Sequence, residues 1–132
     1  MSQENVEIVR RAFDAFAEEG VEGVIPLAAV DAVIYSMPEW PDDAEYRGPE
    51  GLRKLAAQWS DNFDEFGFDV HDVRDAGDSV VALLEMTGRI KGSGVPMRAP
   101  VAAVYELTDG LFVSTRYFST WQAALEAVGL TE

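Results

Sequence analysis

Apolar positions near the start of the chain recur at spacings of three and four, with Val6, Val9, Phe13, Phe16 and Ala17 on one stripe. That period predicts an amphipathic helix, with Ser2 as its cap and Gly20 as its stop. The next stretch, Val21 to Val30, is apolar but broken by Gly23 and Pro26, so a short second helix or a turn is expected. Val33, Ile34 and Tyr35 read as a brief strand. Met37 to Tyr46 holds two prolines, Trp40 and the acids Glu39, Asp42, Asp43 and Glu45, the composition of an irregular loop placed to lie across a pocket mouth. Gly48-Pro49 opens a third helix, whose buried face is marked by Leu52, Leu55, Ala56, Trp59, Phe63 and Phe66.

From Phe68 onward the pattern changes to strands. Four are expected in antiparallel succession: Phe68 to Asp75, Ser79 to Lys91, Met97 to Leu107 and Leu111 to Ser119. Turns separate them at Ala76-Gly77, at Gly92-Ser93-Gly94 and at Asp109-Gly110, the last a strong two-residue hairpin signal. Thr120 is placed to cap a final helix, Trp121 to Val128. Helices followed by a hairpin-linked sheet define an α+β class, with three helices of the N-terminal half over the concave face of a curved sheet. Such a cone leaves a mouth suited to a small ligand.

The Asp109-Gly110 turn also sets a register, because a two-residue loop pairs Thr108 with Leu111 and propagates outward. Tyr105 is then opposite Ser114, Ala103 opposite Arg116 and Val101 opposite Phe118, all on one face. That face is expected to line the pocket, with Arg116 reaching inward past a small alanine. Val104, Thr115, Ala102 and Tyr117 fall on the other face, too apolar to stay in water, which predicts a homodimer through the outer sheet face.

The chain has 132 residues, formal net charge -14 and 48% hydrophobic residues, enough for one domain over 1–132 with a real core. The acidic balance argues against nucleic acid and anionic membranes, whose phosphates require basic patches. With no cysteine and a single histidine, disulfides, thiolate zinc sites and a His-only metal site are excluded. The acids at 42, 43 and 45 lack the glycine turn and terminal glutamate of a calcium loop, so no metal is expected. No nucleotide-binding or nucleophile-elbow motif occurs, and no cofactor is expected. The N-terminus carries no basic and apolar leader pattern, so a cytoplasmic location is expected.

The chain resembles the SnoaL-like branch of the nuclear transport factor 2-like (NTF2-like) superfamily. The resemblance rests on Asn5-Val6-Glu7-Ile8-Val9-Arg10-Arg11-Ala12-Phe13, on Tyr46-Arg47-Gly48-Pro49-Glu50-Gly51 and on Asp75-Ala76-Gly77-Asp78 before an apolar strand. Lys91-Gly92-Ser93-Gly94, Leu107-Thr108-Asp109-Gly110 and the ending Ala124 to Leu130 extend it over nearly the whole chain. It implies a cone-shaped pocket in a protein that is commonly a homodimer. Members include polyketide cyclases, ketosteroid-isomerase-like enzymes, dehydratases and hydrolases. Those acting on enolisable carbonyls use a pocket Asp or His as base, with a Tyr or protonated acid holding the enolate. At positions that are often polar in the family this chain has Ser36, Met37, Ala103 and Thr120.

Arg116 is the expected polar anchor, a fork for a carboxylate or enolate oxygen, or else an arginine paired to a nearby acid or solvated at the sheet end. Tyr35, Met37, Trp59, Phe63, Tyr105 and Phe118 are expected to wall the pocket, and Trp40 to cover it or meet an interface. Glu85 and Glu39 are the candidate bases, and whether Glu85 shares the face of Arg116 is open. His71, between Asp69 and Asp72, is expected to be partly exposed or at an interface rather than catalytic. Three functions compete: binding of a hydrophobic small molecule, neutral or anionic; an isomerase, cyclase or dehydratase acting next to a carbonyl of a polyketide- or steroid-like substrate; and a non-catalytic dimeric interaction module.

Overall fold

A computed structural model describes residues 2–37 and 45–130. Helix α1 (Ser2–Glu19) is followed by the short α2 (Val21–Val24) and a single 3-10 turn, Ile25–Leu27. Strands β1 (Ala28–Tyr35) and β2 (Glu45–Arg47) precede helix α3 (Gly48–Asn62). Four long strands then run in succession, β3 (Phe63–Asp75), β4 (Ser79–Ile90), β5 (Pro96–Thr108) and β6 (Leu111–Phe118), and α4 (Trp121–Ala127) closes the order. The six strands form one sheet in the order β2-β1-β6-β5-β4-β3. All neighbours are antiparallel except β1 and β6, so the sheet is mixed, as the α+β cone requires.

The helix boundaries have local causes. Gly20 ends α1 in the left-handed region (φ 72), and its N–H donates to the Phe16 carbonyl at 2.9 Å. The cap expected of Ser2 concerns a side chain outside the described residues. Gly48 (φ 67) lets the chain turn from β2 into α3, where a Cβ would lie 3.0 Å from the Val30 carbonyl oxygen. Pro49 then sits in the first turn of α3, where no N–H is needed. Thr120 caps α4 as expected, its hydroxyl accepting from the Ala123 N–H at 3.1 Å.

Three features differ from the sequence expectation, the first being that Glu45 and Tyr46, expected in an irregular loop, form β2 by pairing with Tyr35 and Ile34. Helix α3 stops at Asn62, so Phe63 and Phe66 belong to β3 rather than to its helical face. Pairing of Phe63 with Ile90 and of Asp64 with Arg89 takes those residues into the sheet, and Glu65 (φ 58) lies in the irregularity between Asp64 and Gly67. The helical spacing of those phenylalanines was therefore fortuitous. Strand β1 is also longer than its apolar triplet, and β6 pairs with it in parallel at Ala28 and, after a register shift, from Val33 to Tyr35.

The main core lies between the inner sheet face and α1. Val6 and Val9 of α1 pack with Val80, Ala82 and Leu84 of β4 and Val101, Ala103 and Tyr105 of β5. The outer face is covered in part by α4, whose Ala124 and Leu125 pack with Val81, Leu83, Ala102 and Val104. With both faces covered, Val80 to Leu84 and Val101 to Tyr105 are buried without a break. Part of the apolar surface that argued for a homodimer is thus covered within the chain. The Trp121 indole fastens α4 further by donating to the Leu84 carbonyl at 2.9 Å.

The β5–β6 hairpin holds the largest departure. Asp109 (φ 54) and Gly110 (φ 80) form the expected tight turn, with Thr108 opposite Leu111 and Leu107 opposite Phe112. A bulge follows, with Val113 as the extra residue, and the pairs become Glu106 with Ser114, Tyr105 with Thr115, Val104 with Arg116 and Ala103 with Tyr117. One inserted residue reverses the facing of everything beyond it. Thr115 and Tyr117 therefore join the inner face, and Arg116 and Phe118 the outer.

Leu84 is fully buried in the main core. Leu84→Ala is expected to cost about 2–5 kcal/mol in urea unfolding, the range for a large-to-small change in a packed interior.

Candidate functional site

Between the helices and the inner sheet face lies a partly open cavity of about 90 Å³. Four small side chains leave the room: Ala12 of α1, Ala28 and Ala32 of β1, and Ala56 of α3. Larger apolar groups form the walls, including Phe13 and Phe16 from α1, Leu52 and Leu55 from α3, and Phe68 and Phe112 from the sheet. Alanines facing aromatics across a gap are what keep such a space from closing.

Trp59 of α3 stands at the centre of this aromatic wall. Its indole stacks on Phe66 (4.7 Å between centroids, 20° between planes) and meets Phe16, Phe68 and Tyr117 edge-on at 6.2, 5.5 and 6.2 Å. The polar atoms of the lining come from Trp59, Tyr105, Thr115 and Tyr117. Burial pushes the Tyr105 phenol well above its usual range, with Tyr117 adding to the effect, and burial alone raises Tyr117. Both phenols are neutral at physiological pH. Among the described residues, no Asp, Glu, His, Lys or Arg lines the cavity.

A wider cleft adjoins the cavity and shares Phe13, Phe16, Val21, Ala56, Trp59 and Phe68 with it. Here the lining turns polar, with Glu22, Arg53, Ser60, Asp64, Glu65 and Lys91. Glu22 of α2 and Arg53 of α3 face each other across it, Arg53 donating from Nε at 2.8 Å and from Nη2 at 3.1 Å. The bonds from Arg53 hold the Glu22 carboxyl below its usual pKa, although both side chains are well exposed. Salt and solvent therefore leave this pair a modest contribution.

The structure divides the residues singled out in the sequence. Trp59 and Tyr105 line the cavity, and Phe63 lines the adjoining cleft. Met37 is 5% exposed and packed in the main core rather than on the cavity wall. Arg116, Tyr35 and Phe118 lie on the outer face, in a groove with Ser36, Ser114 and Ser119, so the expected inward reach of Arg116 is corrected. Its guanidinium sits 5.7 Å from the centre of the Phe118 ring. Trp40 and Glu39 fall outside the described residues, as does most of the loop expected over the mouth. Thr115 and Tyr117 were missed as cavity residues because the turn-based register turned them outward. The alternation of β6 itself, Thr115 and Tyr117 on one side against Ser114 and Arg116 on the other, carried the correct signal.

Glu85 shares the outer face with Arg116 but pairs elsewhere. It accepts from Arg98, which also bonds Asp69 at 2.8 Å, and lies 3.2 Å from Nε2 of His71. These bonds, that from Arg98 first, hold its carboxyl below the usual range. His71 is half-exposed, with its ring 5.1 Å from that of Trp121. Neither residue reaches the cavity. Among the described residues, no three acidic or histidine side chains converge to hold a metal, and no helix is long and apolar enough to cross a membrane.

The comparisons with known proteins agree with this architecture. The SnoaL-like domain family matches residues 9–115, and the chain belongs to that family. Three solved structures share the fold. A hypothetical protein with a ketosteroid isomerase-like fold from Catenulispora acidiphila, in complex with trimethylamine, is 21% identical, with TM-score 0.74 over 94% of this chain and 93% of its own. A candidate SnoaL-like polyketide cyclase from Jannaschia sp. is 22% identical, with TM-score 0.76 over 99% and 95%. TerC, co-crystallised with polyporic acid, is 16% identical, with TM-score 0.77 over 95% and 98%. No functionally curated protein matches the sequence. The shared fold leaves the chemistry of the cavity to be read from this chain's own residues.

Two outcomes follow from the placement of the charges. Arg116→Ala is expected to leave ligand affinity at the cavity unchanged within about twofold by calorimetry, since the guanidinium lies on the opposite face of the sheet. The depressed Glu85 carboxyl adds stability above the unfolded carboxylate pKa of about 4.3, and that share is lost as pH falls through its lower folded value. Glu85→Gln should accordingly lower stability near neutrality by that share and flatten the acid limb of a stability-versus-pH curve between about pH 5 and 3, the two proteins converging at lower pH.

Proposed function

We propose that the chain is a SnoaL-like small-molecule-binding protein whose inner cavity takes an uncharged, hydrophobic ligand. The observation that carries this reading is the lining itself, aromatic and aliphatic walls with neutral hydroxyl and indole groups and no charged side chain among the described residues. A charged ligand group placed there would lose its hydration without gaining a counter-charge. The anionic ligand expected from an inward Arg116 loses its support, because that side chain lies outside. The small molecules bound by the Catenulispora protein and by TerC fit a ligand-binding use of this fold.

The catalytic reading stands second. Proton abstraction beside a carbonyl needs a base within about 3 Å of the proton, or one water away. Glu85 is directed to the outer face, so a carboxylate base would have to come from outside the described lining, with Glu39 as the candidate. A homodimer remains part of the reading, through the part of the outer face around Tyr35, Arg116 and Phe118.

N-phenyl-1-naphthylamine and its 8-sulfonate make a suitable pair of fluorescent probes, because they share the same aromatic frame and differ by one charged sulfonate group. The neutral probe is expected to bind at least about tenfold tighter than the sulfonate. Ala56→Phe, which fills the cavity from α3, is expected to weaken it by a similar factor in a protein whose circular dichroism is unchanged. Equal binding of both probes, or binding untouched by Ala56→Phe, would remove the reading. Native mass spectrometry of the same sample identifies any retained small molecule, and a mass of one 14.5 kDa chain at micromolar concentration removes the dimer.

A further inference from the structure

Among the described residues, Nε1 of Trp59 is the buried side-chain polar atom that has no hydrogen-bond partner. Leaving a buried donor unpaired is costly, and native proteins rarely do so without a reason. The indole has little freedom to seek a partner elsewhere. It is stacked on Phe66 and hemmed by Phe16, Phe68 and Tyr117, so a turn toward solvent would break four aromatic contacts. A phenylalanine in its place would remove the orphaned group and keep part of the aromatic packing. The same side chain lines both the cavity and the cleft that adjoins it.

From these observations we infer that the Trp59 N–H is a specificity determinant, donating to a neutral oxygen acceptor, a carbonyl or ether, on an otherwise apolar ligand. The inference rests on the cavity being the ligand site. Nε1 is closed to water in the free protein, so an acceptor reaches it only where a neighbouring ring gives way, and the bound acceptor then satisfies a group that the free protein leaves unpaired. A hydrocarbon of the same shape fills the space but leaves the donor unpaired, so the site discriminates between two ligands of nearly equal apolar area. A carboxylate is disfavoured by the absence of a counter-charge in the lining.

The test uses 1-indanone and indane, which differ by one carbonyl, with affinities from calorimetry and the indole proton followed by NMR. The wild-type protein is expected to bind 1-indanone about tenfold tighter than indane, with a downfield shift of the Trp59 indole proton. In Trp59→Phe, which also loses part of the cavity wall, the ratio of the two affinities should fall to within about threefold whatever happens to the affinity for indane. Equal affinities in the wild type, or a preference that survives Trp59→Phe, would overturn the inference and leave the cavity reading standing. Binding of neither compound overturns both. Should Trp59→Phe fail to fold, the wild-type protein decides alone, since an indole proton unmoved at saturating 1-indanone means that water or nothing serves the donor.

Discussion

A single bulged residue, Val113, sets the character of both faces of this sheet. The pairing that begins at the Asp109-Gly110 turn runs true for two pairs and then slips by one, so that Thr115 and Tyr117 enter the cone while Arg116 and Phe118 leave it. Without the slip a guanidinium would stand among the core aromatics, with burial costs that the neighbouring hydroxyls and rings are poorly suited to offset. With it, the inner face carries neutral groups, and the charges of a strongly acidic chain stay in contact with water. What β6 shows to the cavity follows from that choice of register.

Rigidity around the cavity comes from covering the sheet on both sides. The runs Val80 to Leu84 and Val101 to Tyr105 are buried by α1 on the inside and partly by α4 on the outside, which makes β4 and β5 a fixed floor. Against that floor, alanines on α1, β1 and α3 hold open a space whose opposite wall is aromatic. The cleft beside it is tied by the exposed Glu22–Arg53 pair, a contact weak enough to open without disturbing the core. Stability and access are thus assigned to different layers of the molecule.

The described lining of the cavity offers shape and neutral polar groups rather than charge. Two phenols kept protonated by burial, one hydroxyl and one unpartnered indole can orient an oxygen, but they cannot remove a proton at neutral pH. The ionic cluster of Asp69, Glu85, Arg98 and His71 lies on the outer face, where mutual pairing and water account for it. Family membership is compatible with either use of the cone. What distinguishes them here is which side chains reach the interior.

The sequence by itself determined the α+β class, the order of elements apart from β2, the boundaries at Gly20, Gly48 and Asp109-Gly110, and the facing of β5 with Tyr105 inward. Each of these depends on neighbours a few residues away, through helical period, backbone freedom or turn geometry. Only the tertiary structure decided what β6 shows to the cavity, because a bulge is a contest between local pairing and the burial of distant groups. The same holds for Phe63 and Phe66, whose spacing suits a helix until β4 offers a ladder, and for the outer apolar face, whose cover by α4 depends on a chain reversal that no short pattern encodes. The orphaned Trp59 donor belongs with these, since its lack of a partner is a property of everything packed around it.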